Sequence, residues 1–337
     1  MVSTVLSAAS YLQFKAQGFV RTGLVLPPAS LCQIRDLYAG MPASESNWSY
    51  FQSNLVAKLD RQSYWARIKQ LIRPMVSRRG ALAPDFKLYE KSIYGSTEMI
   101  PLVLRLLLNS GLKTHLGEVS FLAAHDILLE GTKDDYNFGF HQDGFGWDIF
   151  FQTGDDLTIY IALQDMNEET GGRLSVERHP EKSVLFAGRN REVQAFAQFC
   201  KDQGAGLEGG RVTKEGAESC RRRRRIADAY RRMTLAWSAA TRQQHRKIEM
   251  SQIDMKQGEV ILFNNKLFHD VESWKCQHHR LVYIIRCLPL YEMGLCPPQK
   301  FLNGVECNRY LLDGAAGSVR PIDLSKELLP FVACPSH

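Results

Sequence analysis

Apolar residues recur at helical spacing through the first third of the chain and at strand spacing beyond it. Ser30 is placed to cap a helix with Leu31, Ile34, Leu37 and Tyr38 on one face. Asn54 is placed to cap a longer one, carrying Leu55, Leu59, Ile68, Leu71 and Ile72 and ending near Arg78-Arg79-Gly80. Pro101 to Leu108 is almost wholly apolar, with proline at its start and Gly111 beyond its end, as in a buried helix. Before these, Gly18-Phe19-Val20 and Gly23-Leu24-Val25-Leu26 read as short strands leading into Pro27-Pro28.

The period changes near residue 117. Glu118 to His125, Ile127 to Leu129, Leu157 to Leu163, Arg173 to Val176, Val260 to Phe263 and Leu281 to Ile285 read as short strands punctuated by glycine and aspartate. That pattern predicts a β-sandwich or jelly roll of the cupin kind. Residues 185–250 break it. They hold few apolar residues and no strand alternation, and they read as a largely helical insertion between two core strands. The expected organisation is a helical elaboration over 1–115, a jelly-roll core over 116–290 carrying the insertion, and a wrapping segment over 291–337 with Pro297-Pro298 and Pro321.

Composition adds limits. The chain has 337 residues, 45% of them hydrophobic, enough for one elaborated domain with a large core. It contains neither 18 consecutive apolar residues nor the hydrophobic region of a signal peptide, which argues against a membrane-spanning or secreted protein. Its eight cysteines, at 32, 200, 220, 276, 287, 296, 307 and 334, form no CxxC pair and no zinc spacing, so they read as reduced thiols of a cytoplasmic protein. The net charge of +6 is local: residues 211–250 carry twelve Lys/Arg against four Asp/Glu, including the run Arg221 to Arg225, and the remainder is close to neutral. Such a run suits a solvated basic helix, an anionic substrate or carrier, or nucleic acid. Aromatic residues for base stacking are sparse beside it, only Tyr230 and Trp237, which counts against nucleic acid.

The candidate chemistry lies in Phe140-His141-Gln142-Asp143-Gly144. In an extended segment His141 and Asp143 share one face, because side chains alternate. Far downstream, His269 follows the strand ending at Phe263, and Arg280 opens the next apolar run eleven residues later. Two imidazoles and a carboxylate on one face of a metal make the facial triad of non-heme Fe(II) oxygenases, with open positions opposite. A nearby arginine can grip the far carboxylate of 2-oxoglutarate with its planar fork. His125, His179, His278 and His279 compete with His269 for the third ligand position; His269 is preferred because it sits at a strand end, where a loop can aim it into a barrel. Thr158 and Tyr160, on an inner strand, are candidate hydroxyl partners of the co-substrate.

With these residues in view, the chain resembles the phytanoyl-CoA dioxygenase family of Fe(II)/2-oxoglutarate oxygenases. The resemblance rests on Phe140 to Asp143, on Leu163-Gln164-Asp165 to Thr170-Gly171-Gly172-Arg173 and on to Pro180, on Gly258 to Arg280, and on the opening Tyr11 to Val20. It implies a double-stranded β-helix with His141, Asp143 and His269 on Fe(II) and Arg280 on 2-oxoglutarate. Trp147 resembles an aromatic position lining the pocket in relatives, and Phe140 and Gln142 flank the ligands as further pocket residues. The chain departs from the pattern at Val271, where some relatives have serine, and at Gly144, where some have threonine.

The resulting expectation is an enzyme that uses Fe(II), 2-oxoglutarate and dioxygen to oxidise a small molecule, by default through hydroxylation of an unactivated C–H. Asp143 fills the iron position that a halide would need, so halogenation is disfavoured. The alternatives are an oxygenase taking a carrier-bound or nucleic-acid substrate through the arginine-rich segment, and a silent jelly-roll binding protein.

Overall fold

The computed structural model describes residues 6–40, 92–94, 98–117, 120–131, 157–178, 195, 199, 202, 207–208, 211–212, 248–264, 267–278, 280–289 and 310–322. Helix α1 (Ala8–Gln17) closes on Gly18, whose N–H donates to the Phe14 carbonyl at 2.7 Å, and β1 (Phe19–Val25) follows directly. The two short strands expected at 18–26 are thus one strand. Helix α2 (Pro28–Gly40) begins with proline, which gives up only an N–H that a first turn leaves unbonded. It buries Leu31, Ile34 and Tyr38 on one face. The helix expected at Asn54 lies outside the described residues. Strand β2 (Ser92–Tyr94) precedes α3 (Met99–Asn109), which starts two residues before the expected Pro101 and buries Met99, Ile100, Val103, Leu104 and Leu107.

The strands that follow are β3 (Ser120–Gly131), β4 (Leu157–Ala162), β5 (Leu174–Glu177), the short pair β6 (Leu207–Glu208) and β7 (Arg211–Val212), β8 (Met250–Ile253), β9 (Glu259–Asn264), β10 (His269–Val271), β11 (Arg280–Pro289), β12 (Tyr310–Asp313) and β13 (Ser318–Pro321). They pair antiparallel into a large sheet in the order β1-β9-β4-β11-β3-β12-β13, with β2 also on β3, and a smaller sheet in the order β10-β5-β8. The chain crosses from the large sheet to the small one between β4 and β5, returns from β8 to β9, crosses again to β10 and returns at β11. That alternation is a jelly roll.

Burial follows the alternation of side chains along each strand. Ile159, Ile161, Val260, Leu262, Tyr283, Ile285 and Cys287 face outward into a core shared with α1, α2 and α3. Tyr160, Ala162, Ile261, Phe263, Val282 and Ile284 face the other way, packing with Leu174, Val176 and Ile253 of the small sheet. All six residues of β4 are buried, which is why its sequence reads as an unbroken apolar run around Thr158 and Tyr160. Each buried apolar side chain contributes roughly 1.5–3 kcal/mol, so slipping β4 by one residue, which exchanges its two faces, is strongly opposed.

Gly258 lets the β1–α2 turn pack against the start of β9. It sits at φ 84°, and a Cβ there would lie 2.6 Å from the Leu26 carbonyl oxygen, so the backbone of the β1–α2 turn can close on the start of β9 only over glycine. The segment expected to wrap the core after residue 290 contributes a hairpin, β12 and β13, to the edge of the large sheet. Within 185–250 the described residues are isolated helical positions at 195, 199 and 202, the β6–β7 pair, and the lead into β8. Among the described residues no helix is long and apolar enough to cross a membrane.

Candidate metal and co-substrate site

His269 is the first residue of β10, in register with Val176 of β5, and only 5% exposed. Its Nδ1 lies 2.9 Å from the Leu267 carbonyl oxygen. A carbonyl can only accept, so Nδ1 donates its proton there, which leaves Nε2 as the nitrogen by which a neutral ring would ligate a metal. The ring packs edge-on against Phe263, with centroids 5.2 Å apart, which turns it toward the space between the sheets. Strand β10 is fastened to β5 at the end away from His269. Arg173 donates from Nε to Glu272 Oε2 at 2.8 Å and from Nη2 to Oε1 at 3.3 Å, and the Glu272 N–H donates to the Arg173 carbonyl at 2.9 Å. Hydrogen bonds from Arg173 hold the Glu272 carboxyl below the usual carboxylate range, and the same contact raises the arginine.

Arg280 opens β11 and is 7% exposed. Its Nη2 donates to the Tyr160 hydroxyl at 2.6 Å, joining two of the residues picked from sequence. Its Nε is buried and has no hydrogen-bond partner among the described residues. Leaving a charged donor unmatched costs more than the roughly 1–3 kcal/mol of a neutral one, so this geometry favours an anion beside it. The space around the guanidinium is set by Gly172. At φ 68°, this residue would carry a Cβ 2.9 Å from Arg280 Nε and 2.8 Å from Trp274 Cε3. The loop that brings Gly172 there is an Asx turn: Asn167 Oδ1 accepts from the N–H groups of Glu169 and Thr170 at 2.9 and 3.0 Å. Lys275 N–H closes onto the Thr170 carbonyl at 2.9 Å, and Trp274 Nε1 donates to the His278 carbonyl at 2.6 Å.

Thr158 lies on the same inward face of β4 as Tyr160 but accepts from a different arginine, Arg286 Nη1, at 2.7 Å. Sequence reasoning missed Arg286. The signal was present in the alternation Arg280, Val282, Ile284, Arg286 along one strand face. Of the competing histidines, His278 is exposed and stacks edge-on against Trp274 with centroids 5.4 Å apart. His125 belongs to β3, opposite Arg286 in register. Phe140, His141, Gln142, Asp143, Trp147, His179 and His279 lie outside the described residues, and among the described residues no three His, Cys, Asp or Glu side chains gather as a metal site.

No protein-family model and no curated protein matches the chain. Solved structures similar to it include the non-heme alpha ketoglutarate dependent carbocyclase SnoK from nogalamycin biosynthesis, 13% identical, covering 85% of both chains with a TM-score of 0.45. EctD from S. alaskensis, with 2-oxoglutarate and 5-hydroxyectoine, is 12% identical over 90% of this chain and 85% of its own, with a TM-score of 0.42. HygX from Streptomyces hygroscopicus, with iron bound, is 12% identical over 85% and 87%, with a TM-score of 0.38. The jelly-roll topology described above stands on this chain's own strand pairing.

Proposed function

We propose that this chain is an Fe(II)/2-oxoglutarate-dependent oxygenase that hydroxylates an unactivated C–H of a small molecule. The observation that carries the reading is the pairing of two buried groups inside one jelly roll. One is an imidazole whose Nδ1 is held by a backbone carbonyl; the other is a guanidinium whose buried Nε has no partner among the described residues, eleven residues later in the chain. His269 would hold the metal together with His141 and Asp143, and Arg280 would hold the far carboxylate of the co-substrate. When bound, ferrous iron would activate dioxygen, the oxidant, with 2-oxoglutarate as the two-electron co-reductant: substrate, 2-oxoglutarate and dioxygen would become hydroxylated substrate, succinate and carbon dioxide.

The protein's share is positioning and desolvation. The Leu267 carbonyl fixes the His269 tautomer and the Phe263 ring fixes its plane. Tyr160 aligns the Arg280 fork, and Gly172, having no Cβ, keeps from crowding Arg280 Nε and Trp274. Apolar residues of both sheets line the space between, which strengthens charge pairing there.

Anaerobic titration with ferrous iron and then 2-oxoglutarate tests this. Formation of the metal-to-ligand absorption band, dependent on both additions, is the expected result. A screen of small molecules should then find one whose mass rises by one oxygen atom while succinate forms. Absence of iron-dependent 2-oxoglutarate binding in the folded protein overturns the assignment.

A further inference from the structure

Among the described residues of β11, two arginines, not one, share the strand face turned to the interior of the jelly roll. Strand β11 alternates: Leu281, Tyr283, Ile285 and Cys287 pack into the outer core or against it, whereas Val282 and Ile284 pack between the sheets. Arg280 and Arg286 share the inward parity and are 7% and 6% exposed. Six residues of strand separate their Cα atoms by roughly 20 Å, so they serve different levels of the interior.

The strand register fixes the level of Arg286. It stands opposite Thr158 of β4, Thr158 stands opposite Phe263 of β9, and the Phe263 ring meets His269 of the facing sheet at 5.2 Å. Arg286, Thr158 and Phe263 therefore form one row across three neighbouring strands, and that row ends on the histidine. Arg280 lies at the other end, by Gly172 and Trp274, reached from the middle of the interior by the Tyr160 hydroxyl. Thr158 is fully buried, and its Oγ1 takes Nη1 of Arg286 at 2.7 Å, which sets the orientation of the fork. The planar fork of a guanidinium matches a carboxylate geometrically.

We propose that Arg286, oriented by Thr158, is a second carboxylate-binding position at the His269 level of the interior. This rests on the oxygenase reading above. Its ligand is a carboxylate beside the metal, from one of two sources: the 1-carboxylate of 2-oxoglutarate, or an acid group of the substrate. The first makes Arg286 a co-substrate residue. The second makes it the determinant of an acidic substrate class.

Anaerobic calorimetry of the ferrous protein separates these. 2-Oxoglutarate and pyruvate, which lacks the far carboxylate, are titrated into the native chain, Arg280→Gln, Arg286→Gln and Arg286→Lys, with thermal unfolding recorded for each. If Arg286 holds the 1-carboxylate, Arg286→Gln weakens both ligands at least about tenfold, whereas Arg280→Gln weakens only 2-oxoglutarate. If it holds a substrate acid, Arg286→Gln leaves both titrations unchanged but removes the preference for free acids over their amides in substrate-triggered succinate formation. The proposal is overturned if Arg286→Gln folds and changes neither the two titrations nor the acid-over-amide preference. Should Arg286→Gln fail to fold, Arg286→Lys, which keeps the charge and loses the fork, and Thr158→Val answer the same questions by the same readouts. A native protein that binds no 2-oxoglutarate refutes the oxygenase reading itself, an outcome distinct from an unaffected variant.

Discussion

Gly172→Ala separates backbone strain from crowding at the arginine when it is compared with Gly23→Ala. Both glycines have positive φ, 68° and 71°, so alanine at either pays about 1–2 kcal/mol for the left-handed conformation. Both substitutions also remove the same glycine freedom from the unfolded chain, which cancels in the difference. At Gly23 a Cβ would meet nothing within 4 Å; at Gly172 it would lie 2.8 Å from Trp274 Cε3, 2.9 Å from Arg280 Nε and 3.0 Å from Arg280 Cδ. Overpacking of that kind costs about 1–3 kcal/mol more. Urea unfolding should therefore place Gly172→Ala about 1–3 kcal/mol below Gly23→Ala, with equal m-values. The added methyl would also press on Arg280 Nε and displace the fork, so 2-oxoglutarate affinity, measured by anaerobic calorimetry, should fall at least about tenfold in Gly172→Ala and stay unchanged in Gly23→Ala. Equal stability of the two variants, or equal co-substrate affinity, refutes the idea that Gly172 is kept small for the guanidinium.

Three further outcomes are expected. Arg280→Gln should weaken 2-oxoglutarate by one to two orders of magnitude, on the scale of about 1.5–3 kcal/mol for a charge-assisted pair, while ferrous iron still binds; unchanged affinity by calorimetry removes Arg280 from this role. Glu272 has a lowered carboxyl pKa in the fold because Arg173 hydrogen-bonds to it, so its stabilisation is present above the ordinary glutamate range and is lost as pH falls through the depressed folded value. Urea midpoints followed from neutral pH into acid should accordingly fall more steeply for the native chain than for Glu272→Gln, and parallel curves count against the contribution. Burial pushes the Cys287 thiol up to about 12, whereas Cys32 is exposed, so maleimide at mildly alkaline pH, read by peptide mass, should mark Cys32 and spare Cys287 until the protein unfolds.

What the sequence disclosed follows from how local each signal is. The runs at 157–163 and 260–263 are apolar on both faces, and they became β4 and β9 within a residue or two at each end. Arg280 was legible because it opens such a run. Strand β10 was not, since three residues carry no period, and His269 was placed by its position after a strand. Met250-Ser251-Gln252-Ile253 is too polar to announce β8, and so the insertion was drawn across its first residue. Cross-strand register escaped altogether: nothing in the spacing of Thr158 and Arg286 says that β4 and β11 are neighbours. The hairpin at 310–321 had its own local mark, the turn Asp313-Gly314-Ala315-Ala316-Gly317, overshadowed by the prolines on either side.

The junction between β5 and β8 has a consequence for how such a protein diversifies. Glu177 and Met250 are register partners, and the Arg178 N–H donates to the Glu249 carbonyl at 2.9 Å, so residues 179–248 leave and rejoin the sheet at one rung of its ladder. Closing a loop costs only about 0.6 kcal/mol more for each doubling of its length. The closure cost of the stretch between those two points therefore changes little as its length changes, and the β5–β8 rung that anchors both ends is set by the strands themselves. Sequence and length can thus vary at one hinge point while the ladder on either side keeps its register.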